Sequence, residues 1–222
     1  MREYIDNKVK DTTKYFNQGG IEVIEKDPIP DTINLQSILK AIETYLPSHY
    51  FQNLEAIIVE HLEEFDRRGV NALYKDNKLY ITNQQSNSQD LIDDIVHELA
   101  HHLEVLFPEQ IYSDVSLINE FLKKRYELKF ELQTEGYWVN EYDFDKLKFD
   151  PKFDEFLYRR VGRNMLRLTT TGLFIRPYAA VSLREYFATG FEAYYLGKQD
   201  SLEKISPMLY DKINELHHHN EY

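Results

Sequence analysis

His97-Glu98-Leu99-Ala100-His101 places two histidines four residues apart, with a glutamate beside the first. The stretch lies inside Ser86 to Phe107, whose apolar spacing predicts one amphipathic helix. On a helix of about 3.6 residues per turn, positions i and i+4 lie one above the other. Both imidazoles can then reach one Zn2+ at about 2.0–2.1 Å. The glutamate can act as general base on a water beside the ion. The pattern points to a zinc hydrolase of the peptidase kind.

The surrounding residues support a helix with two distinct faces. Leu91, Ile92, Ile95, Val96, Leu99, Leu103 and Leu106 form one broad apolar arc, and His97 and His101 project from the other side with Asp90 and Asp94. Ser86 and Gln89 match a capping box, and Asp90, Asp93 and Asp94 suit the positive end of the helix dipole. The bland alternative is a solvated face that carries two histidines by composition. With 8 histidines in 222 residues, chance gives the motif on the order of a few times per hundred chains.

Composition narrows the field. The chain is 42% hydrophobic and 14% aromatic, as globular proteins are. Its formal net charge is −12, with no basic stripe, so neither nucleic acid nor an anionic membrane is an expected partner. With no cysteine, disulfides, thiolate zinc sites and thiol nucleophiles are excluded. The charged start Met1-Arg2-Glu3-Tyr4 lacks the apolar core of a secretory signal. No run reaches the roughly 18 apolar residues of a membrane span. The expected location is cytoplasmic, with non-classical export or virion association as the exceptions to test. Richness in Asn, Lys, Ile and Tyr suggests a bacterial or phage source.

Along the chain, residues 1–20 read as a loosely held entry segment. Ile21 to Ile24 alternates like a strand, Leu35 to Leu46 has helical spacing, and Leu54 to Val59 is ambiguous, its β-branched run favouring a strand. Ala72 to Tyr74 and Leu79 to Thr82 form a predicted hairpin about the polar turn Lys75 to Lys78. Its strand is either a sheet edge to which a peptide adds, or an ordinary edge blunted by lysines. Beyond Pro108 the pattern is helical: Ser116 to Gln133, Asp150-Pro151 towards Arg167, Ser182 to Leu196, and Ser206-Pro207 to His217. Thr169 to Gly172 reads as a loop.

A catalytic zinc needs a third protein ligand. Glu185 and Glu192 lie seven apart on one predicted helix face, with Ala188 and Thr189 between them. Ser182-x-x-Glu185 is equally a capping box, in which the glutamate serves only its own helix. Glu192 is the fallback ligand, or an acceptor for an imidazole N–H. Glu120 and Glu135 are further candidates without a companion pattern. His102 points about 100° away from His101 and reads as buried or capping, while His49, His61 and His217-His218-His219 carry no site.

The H-E-x-x-H helix followed by Glu185-x-x-Ala188 on a later helix resembles the gluzincin zinc peptidases, and within them the lethal factor and Pro-Pro endopeptidase group. A tyrosine seven residues before the ligand glutamate belongs to that pattern, and here it is Tyr178. The resemblance implies zinc held by His97, His101 and Glu185, Glu98 as base, and Tyr178 as hydrogen-bond donor to the oxyanion. The stretch between His101 and Glu185 is longer than the resemblance leads one to expect, with the extra material falling around residues 113–156.

The expected fold is therefore α+β, bilobal and zincin-like. Residues 1–110 would hold a small mixed sheet and the motif helix, and residues 111–222 a helical lobe carrying the third ligand. The expected function is a zinc-dependent endopeptidase acting on an extended protein segment. The alternative is a non-catalytic zincin-fold binding or structural protein, such as a phage-particle or toxin-like component, that retains zinc. Oligomeric state has no sequence signal.

Overall fold

All four residues of Ala56-Ile57-Ile58-Val59 are buried, as a strand covered on both faces requires. They form the middle strand of a five-stranded sheet, which resolves the ambiguous run Leu54 to Val59 as a strand. The computed structural model describes residues 13–17 and 19–218. The N-terminal residues 1–12 and His219 lie outside these. The chain divides into two units, Met1–Leu106 and Phe107–Tyr222, and its class is mixed α+β, as expected.

The first unit contains β1 (Thr13–Phe16), β2 (Glu22–Glu25), α1 (Leu35–Tyr45), β3 (Ala56–Val59), α2 (Glu63–Arg68), β4 (Ala72–Lys75), β5 (Lys78–Ile81) and α3 (Ser88–Leu106). Strand order is β1-β2-β3-β5-β4. β2, β3 and β5 are parallel, while β1 and β4 run antiparallel at the two edges. β1 corrects the expectation of a loose entry segment, because Thr13 to Phe16 pair with Glu22 to Glu25.

The β4–β5 hairpin closes through Asp76 (φ 50°) and Asn77 (φ 59°). Two positive φ values define the turn whose twist suits a two-residue hairpin, and Asp and Asn tolerate them. Lys75 pairs with Lys78, Tyr74 with Leu79 and Leu73 with Tyr80. Hydrogen-bonded and non-hydrogen-bonded pairs alternate away from such a turn. The amides of Lys75 and Leu73 therefore face β5, and the amide of Tyr74 points out of the open sheet edge.

Helix α3 starts two residues later than expected. Asn87 Oδ1 accepts from the Asp90 N–H at 2.9 Å, so Asn87 caps the helix in place of the Ser86/Gln89 capping box. Of the predicted apolar arc, Leu91, Ile95, Val96, Leu99 and Leu103 are buried, while Ile92 and Leu106 are half-buried. His101, His102 and Glu104 are buried too, while Val105 is exposed. The bland alternative of a fully solvated histidine face does not hold at His101, which is buried.

The second unit contains α4 (Pro108–Tyr112), α5 (Ser116–Thr134), α6 (Pro151–Glu155), a π-helix (Phe156–Gly162), α7 (Arg163–Thr170), a 3-10 turn (Pro177–Ala180), α8 (Leu183–Tyr195), α9 (Gln199–Ile205) and α10 (Pro207–His217). The helix expected from Pro151 to Arg167 is thus broken into three parts, and it continues to Thr170 where a loop was expected. Asp150 caps its start by accepting from the Lys152 N–H at 3.0 Å. Gly162 ends the π-helix at φ +82°, a conformation that costs glycine little.

Arg125 lies at the heart of this unit with 1% of its surface exposed. Its guanidinium donates to the carbonyls of Ala180 at 2.9 Å, Val181 at 3.3 Å and Asp143 at 3.0 Å, and it lies 4.0 Å over the ring of Phe153. This buried cation holds the chain that leads into α8.

Candidate metal centre

The i, i+4 spacing on α3 does what helical geometry demands. One ligand atom from each of His97, Glu98 and His101 lies within 4.8 Å of the others, and the two imidazole rings are 4.9 Å apart at 84°. His97 and Glu98 are half-buried and His101 is buried. This group could hold a metal ion.

Neighbouring residues orient two of its three members. His101 Nδ1 lies 2.7 Å from Glu104 Oε2, and both side chains are buried. A carboxylate offers only acceptors, so Nδ1 carries the proton and Nε2 keeps its lone pair for a metal. Glu98 Oε2 accepts from the backbone N–H of Tyr74 at 2.6 Å. The outward amide of the sheet edge thus fixes the carboxylate beside the two histidines.

His102 belongs to the scaffold. Its Nε2 lies 2.9 Å from the carbonyl of Gln52, which only accepts, so Nε2 is protonated. Nδ1 lies 3.1 Å from the Tyr74 hydroxyl, and the Tyr74 and His102 rings are 5.2 Å apart. Burial pushes the imidazole below its ordinary pKa, against an opposing pull from the Gln52 carbonyl. The reading of His102 as buried therefore holds. Two i, i+4 pairs interleave on this helix: His97 with His101 for a metal, and Glu98 with His102 for β4.

Glu185 and Tyr178 lie in the second unit. The Glu185 N–H donates to Ser182 Oγ at 3.2 Å, so the capping serine is real. That bond uses only the backbone of Glu185. The ring of Tyr178 lies 6.4 Å from that of Tyr158. Burial first, and then the charge of Glu185, raise the pKa of Asp154. Tyr158 is pushed up to about 12 by burial, then by Asp154, with Arg163 opposing and Glu185 adding.

The other acids considered from sequence are engaged elsewhere. Glu192 is buried and paired with Arg176 at 2.7 Å. Glu120 accepts from the Tyr186 hydroxyl at 2.6 Å and from the Met208 and Leu209 amides at 3.0 and 3.2 Å, and so caps α10. Glu135 is an exposed C-cap of α5. His61 lies 3.0 Å from Asp66, and His217 Nδ1 lies 2.8 Å from the Tyr195 hydroxyl. A groove of about 860 Å³ along α5, bordered by Leu122, Tyr126, Phe130 and Leu168, contains none of the motif residues.

Comparison with protein-family models, with curated proteins and with solved structures finds no match. The functional reading therefore stands on the residues themselves.

Sequence reasoning missed Tyr74, Glu104, Asp154 and Tyr158. Glu104 had a usable signal, since an acid three residues after His101 shares its helix face. Tyr74 acts on Glu98 through its backbone, which no side-chain pattern records. No helix among the described residues is long and apolar enough to cross a membrane.

Proposed function

We propose that the protein is a zinc-dependent endopeptidase of the gluzincin type, with a zincin-like arrangement, that hydrolyses peptide bonds in an extended protein segment. One observation carries the reading: Glu98, set between two histidines whose ligand atoms converge, is aimed by a dedicated backbone donor at 2.6 Å. A site that only held a metal would need no such carboxylate beside its ligands. Imidazole nitrogens with carboxylate oxygen, and no thiolate, suit a zinc ion that keeps one position open.

Zinc at this site would polarise the scissile carbonyl and bring the pKa of an adjacent water to about 7. His97, His101 and Glu185 are the proposed ligands, with Glu104 fixing the ring of His101. Glu98 takes the proton from the attacking water and delivers it to the leaving amine. Tyr178 donates a hydrogen bond to the developing oxyanion. Apart from the Tyr74 amide, which Glu98 occupies, the outward edge of β4 is suited to an extended peptide that adds as a further strand.

The test joins metal analysis of untagged protein with a peptide-library cleavage assay on the parent chain and on Glu98→Gln. The expected result is one equivalent of zinc in both proteins and cleavage by the parent alone. Equal cleavage by the two overturns the mechanism, and sub-stoichiometric zinc in the parent overturns the site. One equivalent of zinc with no cleavage by either replaces the peptidase by a non-catalytic zinc protein.

A further inference from the structure

The run from Pro151 to Thr170 widens into a π-helix over Phe156–Gly162. Such turns are rare and recur at functional sites, because the extra residue per turn re-aims side chains away from their α-helical directions. This one carries Tyr158. The residue is half-buried, and its ring is tilted 56° to that of Tyr178 at 6.4 Å. Its hydroxyl makes no hydrogen bond to any described residue. Other enclosed phenols in the same unit are engaged: Tyr186 donates to Glu120 at 2.6 Å and Tyr194 to Asn214 at 2.9 Å. Tyr158 is thus a donor with a fixed ring and no protein acceptor, beside the phenol already assigned to the oxyanion.

We propose that Tyr158 is a second substrate-facing phenol, donating to the peptide carbonyl two residues from the one served by Tyr178. The inference rests on the peptidase reading above. Carbonyls that point the same way along an extended chain recur every two residues, about 6.6 Å apart. The rings of Tyr158 and Tyr178, with centroids 6.4 Å apart, place the two phenols on the scale of that repeat. A phenol suits the role because its ring, once packed, fixes the hydroxyl at small cost in side-chain freedom. The occupant is therefore peptide backbone in extended form, read through its carbonyls and not through its side chains.

The test measures binding, so it does not depend on turnover. A fluorescein-labelled peptide of the best-cleaved library sequence is titrated, by anisotropy, into zinc-loaded Glu98→Gln and into the same protein carrying Tyr158→Phe. The second variant should bind about tenfold more weakly, with zinc content and thermal midpoint unchanged. A peptide in which a methylene replaces the carbonyl two residues from the scissile one should bind both proteins equally. Equal affinity of the two proteins for the unmodified peptide overturns the role of Tyr158 and leaves the peptidase reading intact. A parent chain that cleaves no library peptide overturns that reading, and this inference falls with it.

Discussion

The backbone N–H of Tyr74 and the carboxylate of Glu98 meet at 2.6 Å, so one hydrogen bond ties the open edge of the sheet to the centre of the H-E-x-x-H motif. The phenol of the same tyrosine reaches His102, one helical turn beyond Glu98. Tyr74 therefore holds α3 by its main chain and its side chain together.

Replacing Glu98 separates chemistry from stability. Glu98→Gln keeps an acceptor for the Tyr74 amide, so stability should change by less than about 1 kcal/mol while cleavage falls by a factor on the order of 10² to 10⁴. Glu98→Ala leaves that amide without its partner and should cost about 1–3 kcal/mol. Urea unfolding of the two variants, alongside cleavage assays, checks both figures. Equal stability of the two would mean that the bond contributes nothing to the fold.

Glu104 acts on metal affinity through His101. Glu104→Ala should weaken zinc binding about 10- to 100-fold, measured by competition with a chromophoric chelator. An unchanged affinity would show that the 2.7 Å contact does not set the ring.

His102 gives stability a pH dependence of known sign. Burial lowers its pKa in the folded state, so between that value and the ordinary value of about 6.5 the unfolded chain binds more protons. The contribution is fully present above pH about 6.5 and is lost as pH falls through the folded pKa. In chelator-treated protein, the urea midpoint of the parent should drop more steeply below that pH than the midpoint of His102→Gln. Parallel curves would remove His102 as the source.

Two substitutions probe the packing of the second unit. Arg125→Ala strands the carbonyls of Ala180, Val181 and Asp143 and opens a void beside Phe153, for a loss of about 3 kcal/mol or more. A Cβ on Gly190 would lie 2.2 Å from Leu209 Cδ2, and Leu209 is itself buried. Gly190→Ala should therefore cost about 1–3 kcal/mol by forcing α8 and α10 to adjust. Thermal or chemical denaturation reads either effect.

These residues also mark how far sequence reasoning reaches. The hairpin, the apolar face of α3 and the converging histidines follow from local periodicity, and each formed as expected. Arg125 could not be singled out in α5, because nothing local distinguishes it, or the buried Lys124 beside it, from the exposed charges of the same helix. The π-helix was equally hidden, since the sequence 151–170 keeps ordinary helical spacing and its widening shows only in the backbone. The Tyr74–Glu98 bond depends on strand register, a property of two segments and of neither alone. For Glu185 and Tyr178 the sequence pattern remains the argument.

The register of the β4–β5 hairpin has a consequence for how this segment can vary. Tyr74 faces outward because it stands one position from the hydrogen-bonded pair Lys75 and Lys78. Deleting one residue from β4 between Tyr74 and the turn would reverse its parity. Its amide would turn towards β5 and its ring to the opposite face of the sheet, so Glu98 and His102 would lose their partner in the same step. Length changes in this strand are compatible with the motif only in multiples of two, which makes strand parity as much a requirement of the site as the histidines themselves.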